Sequence, residues 1–326
     1  MVRILTRREV QKALPMRQAI EVVKGAFAQL SAGQADLPLR TALDVPRHNG
    51  VTLFMPAYLS ADDAMALKIV SVYDDNPDKG LPLIHALVIV IDAETGAPDA
   101  VMDGTYLTAL RTGAASGAAT DLLARPDARV AAVFGAGAQG RTQLEAVSAV
   151  RPIEEAWVYD LESERAQRYA DEMHERLKLD VRVADSPARA VRGADVVCTA
   201  TTSRAPVFAD ADLQPGTHLN AIGAYTPEMQ EIPLETVRRA KIVIDHHEAA
   251  LAEAGDLLIP MDQGIIAPDH IHAELGEIVA GTKAGRESSE EITLFKSVGV
   301  AVQDVATATA VLEAARDSGL GTDVSL

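Results

Sequence analysis

The sequence has little of several residue types, and each shortage narrows what the protein can be. Cysteine occurs once, at Cys198, so no disulfide can form within the chain, which fits a reducing compartment. Aromatic residues make up only 4% of the 326 residues, so the core must consist mainly of Ala, Val, Leu and Ile. No window of about 18 apolar residues suggests a membrane span, and no apolar signal stretch follows the first residues. We therefore expect a cytoplasmic protein.

Positive charge is also scarce, because 30 Lys and Arg residues face 47 Asp and Glu residues, which gives a net charge of −17. Most of such a surface repels a polyanion, and no basic run is interleaved with aromatics, so nucleic-acid binding is not expected. Two segments rich in His and acidic residues, 245–248 and 270–272, lack further ligands at a recognisable spacing. No metal site is predicted.

The first part of the chain predicts a mixed domain of helices and largely antiparallel strands. The whole chain has 326 residues, about twice the usual domain size, so two domains are expected. Apolar residues repeat at helical spacing in 19–30, and extended stretches follow at 51–58, 66–73 and 85–92. Residues 105–123 then predict a helix whose small side chains allow close approach to a neighbouring element. A long alanine-rich helix at 300–317 is expected to pack on this domain.

The middle of the chain predicts a doubly wound parallel sheet. The segment 130–134 is a short, continuous apolar run of the kind found in a buried parallel strand. Strands alternate with helices from there on, which is typical of an α/β sheet with helices on both faces. The further strands are expected at 156–160, 181–184, 195–200, 217–222 and 241–245. The predicted fold is therefore α/β: a doubly wound parallel Rossmann sheet plus a second, mixed α+β domain.

A glycine motif follows the first of these strands and opens a predicted helix at 141–150. It reads Gly135, Ala136, Gly137, Ala138, Gln139, Gly140. The first glycine permits the tight turn, the second lets the backbone approach a pyrophosphate, and the third lets the helix pack on its strand. The helix N-terminus supplies free N–H groups for the phosphate. Asp160 ends the next strand, where a carboxylate hydrogen-bonds ribose hydroxyls and repels a 2′-phosphate. The motif therefore predicts NAD(H) rather than NADP(H).

Three cations of the first domain stand in apolar surroundings and are candidates for holding an anionic substrate. Arg40 follows Pro38-Leu39, Lys68 lies within an apolar strand, and Arg111 lies in the small-residue helix. A charge among apolar neighbours is costly unless it meets an opposite charge. Each cation also has a structural alternative: a solvated strand position for Lys68, a structural ion pair for Arg111 and a surface loop for Arg40. His85, which begins an apolar strand, is a candidate acid or base.

Together these segments resemble the ornithine cyclodeaminase/μ-crystallin family. The most specific part is the run from Met102 to Ser116, which resembles the signature helix of that family. The order of the other segments is also similar: 37–40, 55–57, Lys68, the glycine motif, 220–224 and 296–299. The resemblance covers nearly the whole chain and is far more specific than the glycine motif alone.

The resemblance implies a homodimer whose first domains meet, with an active site between the two domains of each subunit. It assigns residues 1–120, joined by the C-terminal helix 300–326, to substrate binding and dimerisation, and residues 121–299 to the Rossmann domain. By family position, Arg40, Lys68 and Arg111 hold the substrate carboxylate as catalytic residues. We also place Met55, His85 and Tyr225 in the substrate pocket. The expected cofactor contacts are Arg111, Thr112, Gly135, Gly137, Ala138, Gln139, Gly140, Asp160, Thr199, Ala200, Thr201, Ser297 and Gly299.

One departure from the family pattern bears on the reaction. The pattern of the ornithine cyclodeaminases has Gly-Ala-Asp where this chain has Gly223, Ala224 and Tyr225, and the resemblance assigns that aspartate to the distal amine of the substrate. A phenol with an ordinary pKa of about 10 cannot do so as an anion near neutral pH. The predicted function is therefore NAD(H)-dependent reduction of a small α-imino acid such as pyrroline-2-carboxylate, or the reverse oxidation of the amino acid.

Two other functions stay open from the sequence. The first is a lyase of the ornithine cyclodeaminase type, which uses NAD catalytically and releases ammonia. The second is a ligand-binding protein without turnover, as the resemblance to μ-crystallin allows, although the three basic residues argue against it. The identity of the imine, the physiological direction and the source of any transferred proton are open as well.

Overall fold

A computed structural model describes residues 1–325 of the chain. Its helices are α1 (Arg7–Ala13), α2 (Met16–Ser31), α3 (Gly104–Leu123), α4 (Ala138–Val150), α5 (Ser163–Leu177), α6 (Pro187–Val191), α7 (Leu234–Arg239), α8 (His247–Glu253), α9 (Gly255–Asp262), α10 (Leu275–Val279) and α11 (Ala301–Ser318). Its strands are β1 (Val2–Leu5), β2 (Ala35–Asp36), β3 (Thr41–Val45), β4 (Gly50–Leu59), β5 (Ala64–Tyr73), β6 (Ile84–Asp92), β7 (Pro98–Asp103), β8 (Val130–Phe134), β9 (Glu155–Tyr159), β10 (Asp180–Val183), β11 (Val196–Thr199), β12 (His218–Ala221), β13 (Lys241–Ile244), β14 (Ile271–Glu274), β15 (Thr293–Lys296) and β16 (Thr322–Val324). No helix within this range combines the length and apolarity needed to cross a bilayer.

The chain divides into two compact units, and the first consists of residues 1–111 together with residues from 300 onwards. Its sheet has the strand order β16-β1-β7-β6-β5-β4-β2, with β3 also beside β4. Only β1 and β7 pair in parallel within this sheet. The predicted mixed domain with largely antiparallel strands is confirmed. Helix α11 packs on α2 and on β5, as expected for the C-terminal helix.

Alternation along the long strands of unit 1 separates a buried face from a part-exposed face. Side chains of a strand point to opposite faces in turn. In β5 the buried positions are the even-numbered residues from Ala64 to Val70, and the positions between them are only half-buried. Helices α2 and α11 pack against β4 and α11 also packs against β5 and β6, which accounts for the buried face. One face of the sheet is therefore core, and the other is available for contacts.

Unit 2 comprises residues 112–299 and contains a parallel sheet of eight strands. The strand order is β10-β9-β8-β11-β12-β15-β13-β14, and all neighbours pair in parallel. The order reverses between β8 and β11, which is the place where open α/β sheets bind their ligands. The predicted doubly wound α/β fold is confirmed, although β14 and β15 were not predicted. Both are short strands of four residues, and β14 contains two polar residues, His272 and Glu274, instead of a continuous apolar run.

Helix α3 packs very closely on α4 within unit 2. A Cβ atom added at Gly113 would lie 2.6 Å from the carbonyl oxygen of Thr142, which no real side chain tolerates. The small residues of this helix therefore permit the close approach that the sequence predicts. Arg111 and Thr112 are neighbours on α3, and the division between the two units falls between them. The boundary predicted at 120/121 lies further along the same helix.

Candidate active site

Lys68 lies on the core face of the unit 1 sheet. Its neighbours across the sheet are Met55 on β4 and Val88 on β6, and all three residues are buried. The lysine side chain is only 1% exposed, so the solvated strand position is excluded. An ammonium group in such apolar surroundings requires a polar partner.

Asp304, in the first turn of α11, provides that partner and binds a second cation as well. Lys68 Nζ donates to Asp304 Oδ2 at 2.7 Å, and Arg111 Nε donates to Asp304 Oδ1 at 3.1 Å. Arg111 Nη1 also donates to Gln303 Oε1 at 2.6 Å, and the same oxygen accepts the N–H of Val300 at the start of the helix. The structural ion pair considered for Arg111 is present, and it includes Lys68.

Of the three ionisable side chains in direct contact, two are basic and one is a carboxylate. Burial lowers the pKa of Lys68 to about 7, and the charges of Arg111 and Arg40 lower it too, whereas Asp304 raises it. One carboxylate therefore balances two buried cations, with Arg40 close enough to act on Lys68 electrostatically. An additional anion would relieve this imbalance, and a substrate carboxylate has the required charge.

The predicted pocket residues of unit 1 do not all lie together. Met55 is directly opposite Lys68 on the core face. His85 instead pairs with Ser71, an odd-numbered position of β5, and is exposed on the other face of the sheet. The strand register therefore does not bring His85 to the side of Lys68.

The glycine motif of unit 2 forms a tight turn between β8 and α4. Gly135 has a φ of 98°, and a Cβ atom there would lie 2.5 Å from the carbonyl oxygen of Ala200. A Cβ atom at Gly140 would lie 2.1 Å from the carbonyl oxygen of Gly135. A Cβ atom at Gly137 would meet no atom within 4 Å. Gly137 is the N-cap of α4, which begins at Ala138, three residues earlier than predicted.

This turn fits a dinucleotide. The open space beside Gly137 lies at a helix N-terminus, where the first N–H groups have no partner within the helix and favour a phosphate. Ala138, Gln139 and Gly140 form the first turn of that helix. Arg141, which was not predicted, braces the turn by donating to the carbonyl oxygens of Ala136 and Gly137.

Asp160 follows β9 and contacts the same turn. Its Oδ2 accepts the N–H of Ala136 at 2.8 Å, and its Oδ1 accepts from Glu162 N and from Arg165 Nε. A carboxylate has about four acceptor positions, so it can still accept from a ribose hydroxyl. Asp160 thus fixes the turn, and its contact with ribose hydroxyls stays a prediction.

The carboxyl ends of β11 and β12 are joined by a buried carboxylate that the sequence did not reveal. Glu231 accepts from the hydroxyl groups of Thr199 and Thr201, at 2.8 and 2.7 Å, and from the N–H groups of Thr201, Gly223 and Ala224. Thr199 and Thr201 are expected at the cofactor, and the hydroxyl groups of both donate to Glu231. The residue between them, Ala200, instead lies against the glycine turn through its carbonyl oxygen.

Two further buried ions support this edge of the sheet. Asp256 accepts the N–H of Glu231 at 2.7 Å and the ammonium group of Lys296 at 3.0 Å. Burial and the charge of Asp256 raise the pKa of Glu231, whereas Lys296 and Thr201 act in the opposite direction. Lys296 also donates to the carbonyl oxygen of Ala224. The network thereby fixes the residue that precedes Tyr225, whose own side chain is 37% exposed.

The segment 297–299 is held by Asp245, a fully buried residue directly after β13. Asp245 Oδ2 accepts from Ser297 Oγ at 2.8 Å and from the N–H groups of Val298 and Gly299. Gly299 has a φ of 81°, which favours glycine at this position. Ser297 and Gly299 thus have a fixed place at the carboxyl edge of the sheet. Among residues 1–325, no group of three or more His, Cys, Asp or Glu side chains is placed to hold a metal ion.

A family model matches residues 2–319 of the chain, and its description is the ornithine cyclodeaminase/mu-crystallin family. The chain belongs to this family. The predicted family is therefore confirmed over almost the full length. Within the family, the chain is 38% identical over 322 residues to the Delta(1)-pyrroline-2-carboxylate reductase of Bacillus cereus, which covers 98% of this chain and 99% of that protein.

Two solved structures of family members are similar throughout. The Delta(1)-pyrroline-2-carboxylate reductase of Thermococcus litoralis, in complex with NADH and L-proline, is 47% identical with a TM-score of 0.96 and covers 99% of this chain and 100% of that chain. An archaeal alanine dehydrogenase dimer with bound NAD is 40% identical with a TM-score of 0.92 and covers 100% of this chain and 99% of that chain.

Proposed function

We propose that this family member reduces a small α-imino acid to the α-amino acid with NADH, and catalyses the reverse oxidation. The observation that carries the proposal is the buried cluster in which Lys68 and Arg111 share the carboxylate of Asp304, with Arg40 near enough to act on Lys68. Its excess positive charge suits a carboxylate. Pyrroline-2-carboxylate is the first substrate to test, because two similar proteins bear its name.

The residues of unit 1 bind and orient the substrate in this proposal. Lys68 as an ammonium and the guanidinium group of Arg40 hold the substrate carboxylate, and Arg111 assists while it stays paired with Asp304. Charge-assisted hydrogen bonds of this kind are the stronger ones and fix the geometry of the bound group. Because the pKa of Lys68 is about 7, its ammonium group can also release a proton near neutral pH.

The residues of unit 2 hold the dinucleotide. Bound NADH supplies the hydride for the imine carbon. Gly137 and the first turn of α4 receive the pyrophosphate, and Asp160 receives the ribose hydroxyls. Glu231 accepts from the backbone after β11, and Asp245 accepts from the backbone after β15, so both carboxylates keep these segments in place.

A panel of imino acids tests the function. We expect stoichiometric loss of NADH absorbance with pyrroline-2-carboxylate, piperideine-2-carboxylate, iminosuccinate or the imine of pyruvate. L-ornithine with catalytic NAD is expected to release no ammonia, because Tyr225 offers no anion for a distal ammonium group. A ring imine has no distal amine to handle, and an aromatic side chain can contact its methylene groups.

Rapid formation of proline and ammonia from ornithine, with little NADH-dependent reduction across the panel, would assign the chain to the lyases and refute the proposal. Binding of imino acids or NADH without any turnover would equally refute it. Failure of Tyr225→Asp to gain lyase activity does not bear on the question, since other contacts of a lyase are also required.

We further propose that NADH is preferred over NADPH. Asp160 lies beside the glycine turn, and its negative charge repels a 2′-phosphate. We expect kcat/KM with one imino acid to be higher for NADH, and Asp160→Ser to narrow the difference. The variant also removes one of the two carboxylates that Arg165 pairs with, Asp160 and Glu162, which favours a contact of Arg165 with a phosphate. Asp171→Ser on α5 is the matched control, because Asp171 is exposed and its carboxylate accepts from Gln167 on the same helix.

Equal kcat/KM values for the two cofactors in the wild-type enzyme would contradict this preference. So would an Asp160→Ser variant whose ratio of the two values equals that of wild type and of Asp171→Ser.

We propose that the protein forms a homodimer through the part-exposed face of the unit 1 sheet. This face carries large apolar side chains: Leu43 and Leu87 are 57% and 38% exposed, and Phe54, Leu67 and Ile69 are half-buried. A contiguous apolar surface of this kind marks an interaction site. The similar alanine dehydrogenase is a dimer. Light scattering on the purified protein that gives a monomer mass would contradict the proposal. The cytoplasmic location stays a prediction.

A further inference from the structure

We propose that Asp304 is a positioning residue for two of the basic residues that bind the substrate carboxylate, Lys68 and Arg111. Its two carboxylate oxygens hold these side chains in place and keep Lys68 in its charged form. The inference rests on the proposed function, because it takes Lys68 as the ligand of the substrate carboxylate. Each oxygen of Asp304 accepts from a different cation, at 2.7 and 3.1 Å, and the side chain is 1% exposed.

The start of α11 fixes where this carboxylate lies. Gln303, the preceding residue, accepts the N–H of Val300 with its side-chain oxygen and closes the first turn of the helix. The same oxygen accepts from Arg111 Nη1. Arg111 is therefore bound by two consecutive residues of one helical turn, and Lys68 is bound by the second of them. Movement of Asp304 would displace both cations together.

Asp304 is the carboxylate that opposes the other groups acting on Lys68. Burial disfavours the positive charge of Lys68 most strongly. The charges of Arg111 on α3 and of Arg40 before β3 disfavour it too. The neighbours on β4 and β6, Met55 and Val88, are uncharged. Without Asp304, the ammonium form of Lys68 would lose the interaction that keeps it populated near neutral pH.

The pH dependence of kcat/KM tests this role. With pyrroline-2-carboxylate and saturating NADH, the wild-type enzyme is expected to lose activity above pH about 7, where Lys68 loses its charge. Removing an opposite charge at this distance shifts a pKa by about 1–3 units. The alkaline limb of Asp304→Asn should therefore move to lower pH by at least about one unit. Titration of the substrate is common to both enzymes, so it cannot produce the shift.

Asp304→Glu is the matched control, and it separates the loss of the charge from a general loss of structure at this position. It keeps the negative charge and moves the oxygens, so kcat/KM should fall while the alkaline limb stays near its wild-type position. A purely structural role for Asp304 would instead lower kcat/KM by the same factor at every pH in both variants. That result, or a limb that moves equally in Asp304→Glu, would overturn the proposal.

Urea unfolding without substrate gives a second test that needs no turnover. Because the pKa of Lys68 is lowered on folding, the unfolded chain binds more protons between pH about 7 and 10.5, and stability rises with pH there. In Asp304→Asn the pKa of Lys68 in the folded protein is expected to be lower still, so the pH range in which stability rises begins at a lower pH. The stability lost relative to wild type should thus be larger at pH 6 than at pH 8.5.

The two tests separate the inference from the function it rests on. If the wild-type protein reduces no imino acid, the proposed function fails. A loss of stability in Asp304→Asn that is larger at pH 6 than at pH 8.5 would then still support the inference that Asp304 keeps Lys68 charged. If imino acids are reduced but the limb does not move and the loss of stability is equal at both pH values, the inference about Asp304 alone is overturned.

Discussion

Lys68→Met is expected to lower kcat/KM for the imino acid roughly ten- to a hundredfold and to leave the affinity for NADH nearly unchanged. The loss of one charge-assisted contact to a carboxylate costs about 1.5–3 kcal/mol, which corresponds to this factor. Met fills similar space in the buried position between Met55 and Val88. Arg40→Leu should change the same parameters in the same direction. Steady-state kinetics with the imino acid and with NADH varied separately give both values.

Lys12→Met is the matched control for this prediction, because Lys12 is exposed on α1. Its kinetics should equal those of the wild-type enzyme. Circular dichroism must first confirm that Lys68→Met is folded, since Asp304 loses one of its two partners. Wild-type kinetics in both Lys68→Met and Arg40→Leu would show that neither residue holds the substrate carboxylate.

Gly137→Ala and Gly140→Ala are expected to separate cofactor binding from folding. A methyl group at Gly140 would lie 2.1 Å from a backbone oxygen, so α4 must shift at a cost of about 1–3 kcal/mol in the free energy of unfolding. A methyl group at Gly137 meets no atom within 4 Å and should leave stability almost unchanged. It would occupy the space proposed for the pyrophosphate, however, so NADH should bind about five- to a hundredfold more weakly.

Thermal unfolding without cofactor and NADH titration by fluorescence measure the two effects. Gly25→Ala provides the control, because Gly25 lies within α2 and its added methyl group also meets no atom within 4 Å. That variant should be slightly more stable and should bind NADH normally. If Gly137→Ala binds NADH as tightly as Gly25→Ala does, the pyrophosphate does not lie against Gly137.

The parts of the site that were predictable are those with a local signature. The glycine motif has a fixed spacing and directly follows an apolar strand, so Gly135, Gly137, Gly140 and Asp160 were identifiable from the sequence. Their contacts to one another are made within one β-α-β segment. Lys68 was identifiable because a cation within an apolar strand is unusual.

The residues that the sequence did not reveal depend on contacts between distant segments. Asp304 and Lys68 are 236 positions apart, and Glu231 and Thr199 are 32 positions apart. Each acidic residue has an ordinary local environment, and only the fold shows that it is buried against a partner. The face on which His85 lies was also not predictable, because it depends on the register between β5 and β6, which the turn between them sets.

The position of Asp304 on α11 has a consequence for how the chain is made. The ribosome completes Lys68 236 residues before Asp304, which at ordinary rates of synthesis is a delay of roughly 10–50 s. Until Asp304 is made, Lys68 and Arg111 lack the carboxylate that allows their burial in unit 1. Unit 2 is continuous in sequence and has no such delay. We therefore expect the later unit to reach its native structure first on the ribosome, with the N-terminal unit completed only when the last helix emerges.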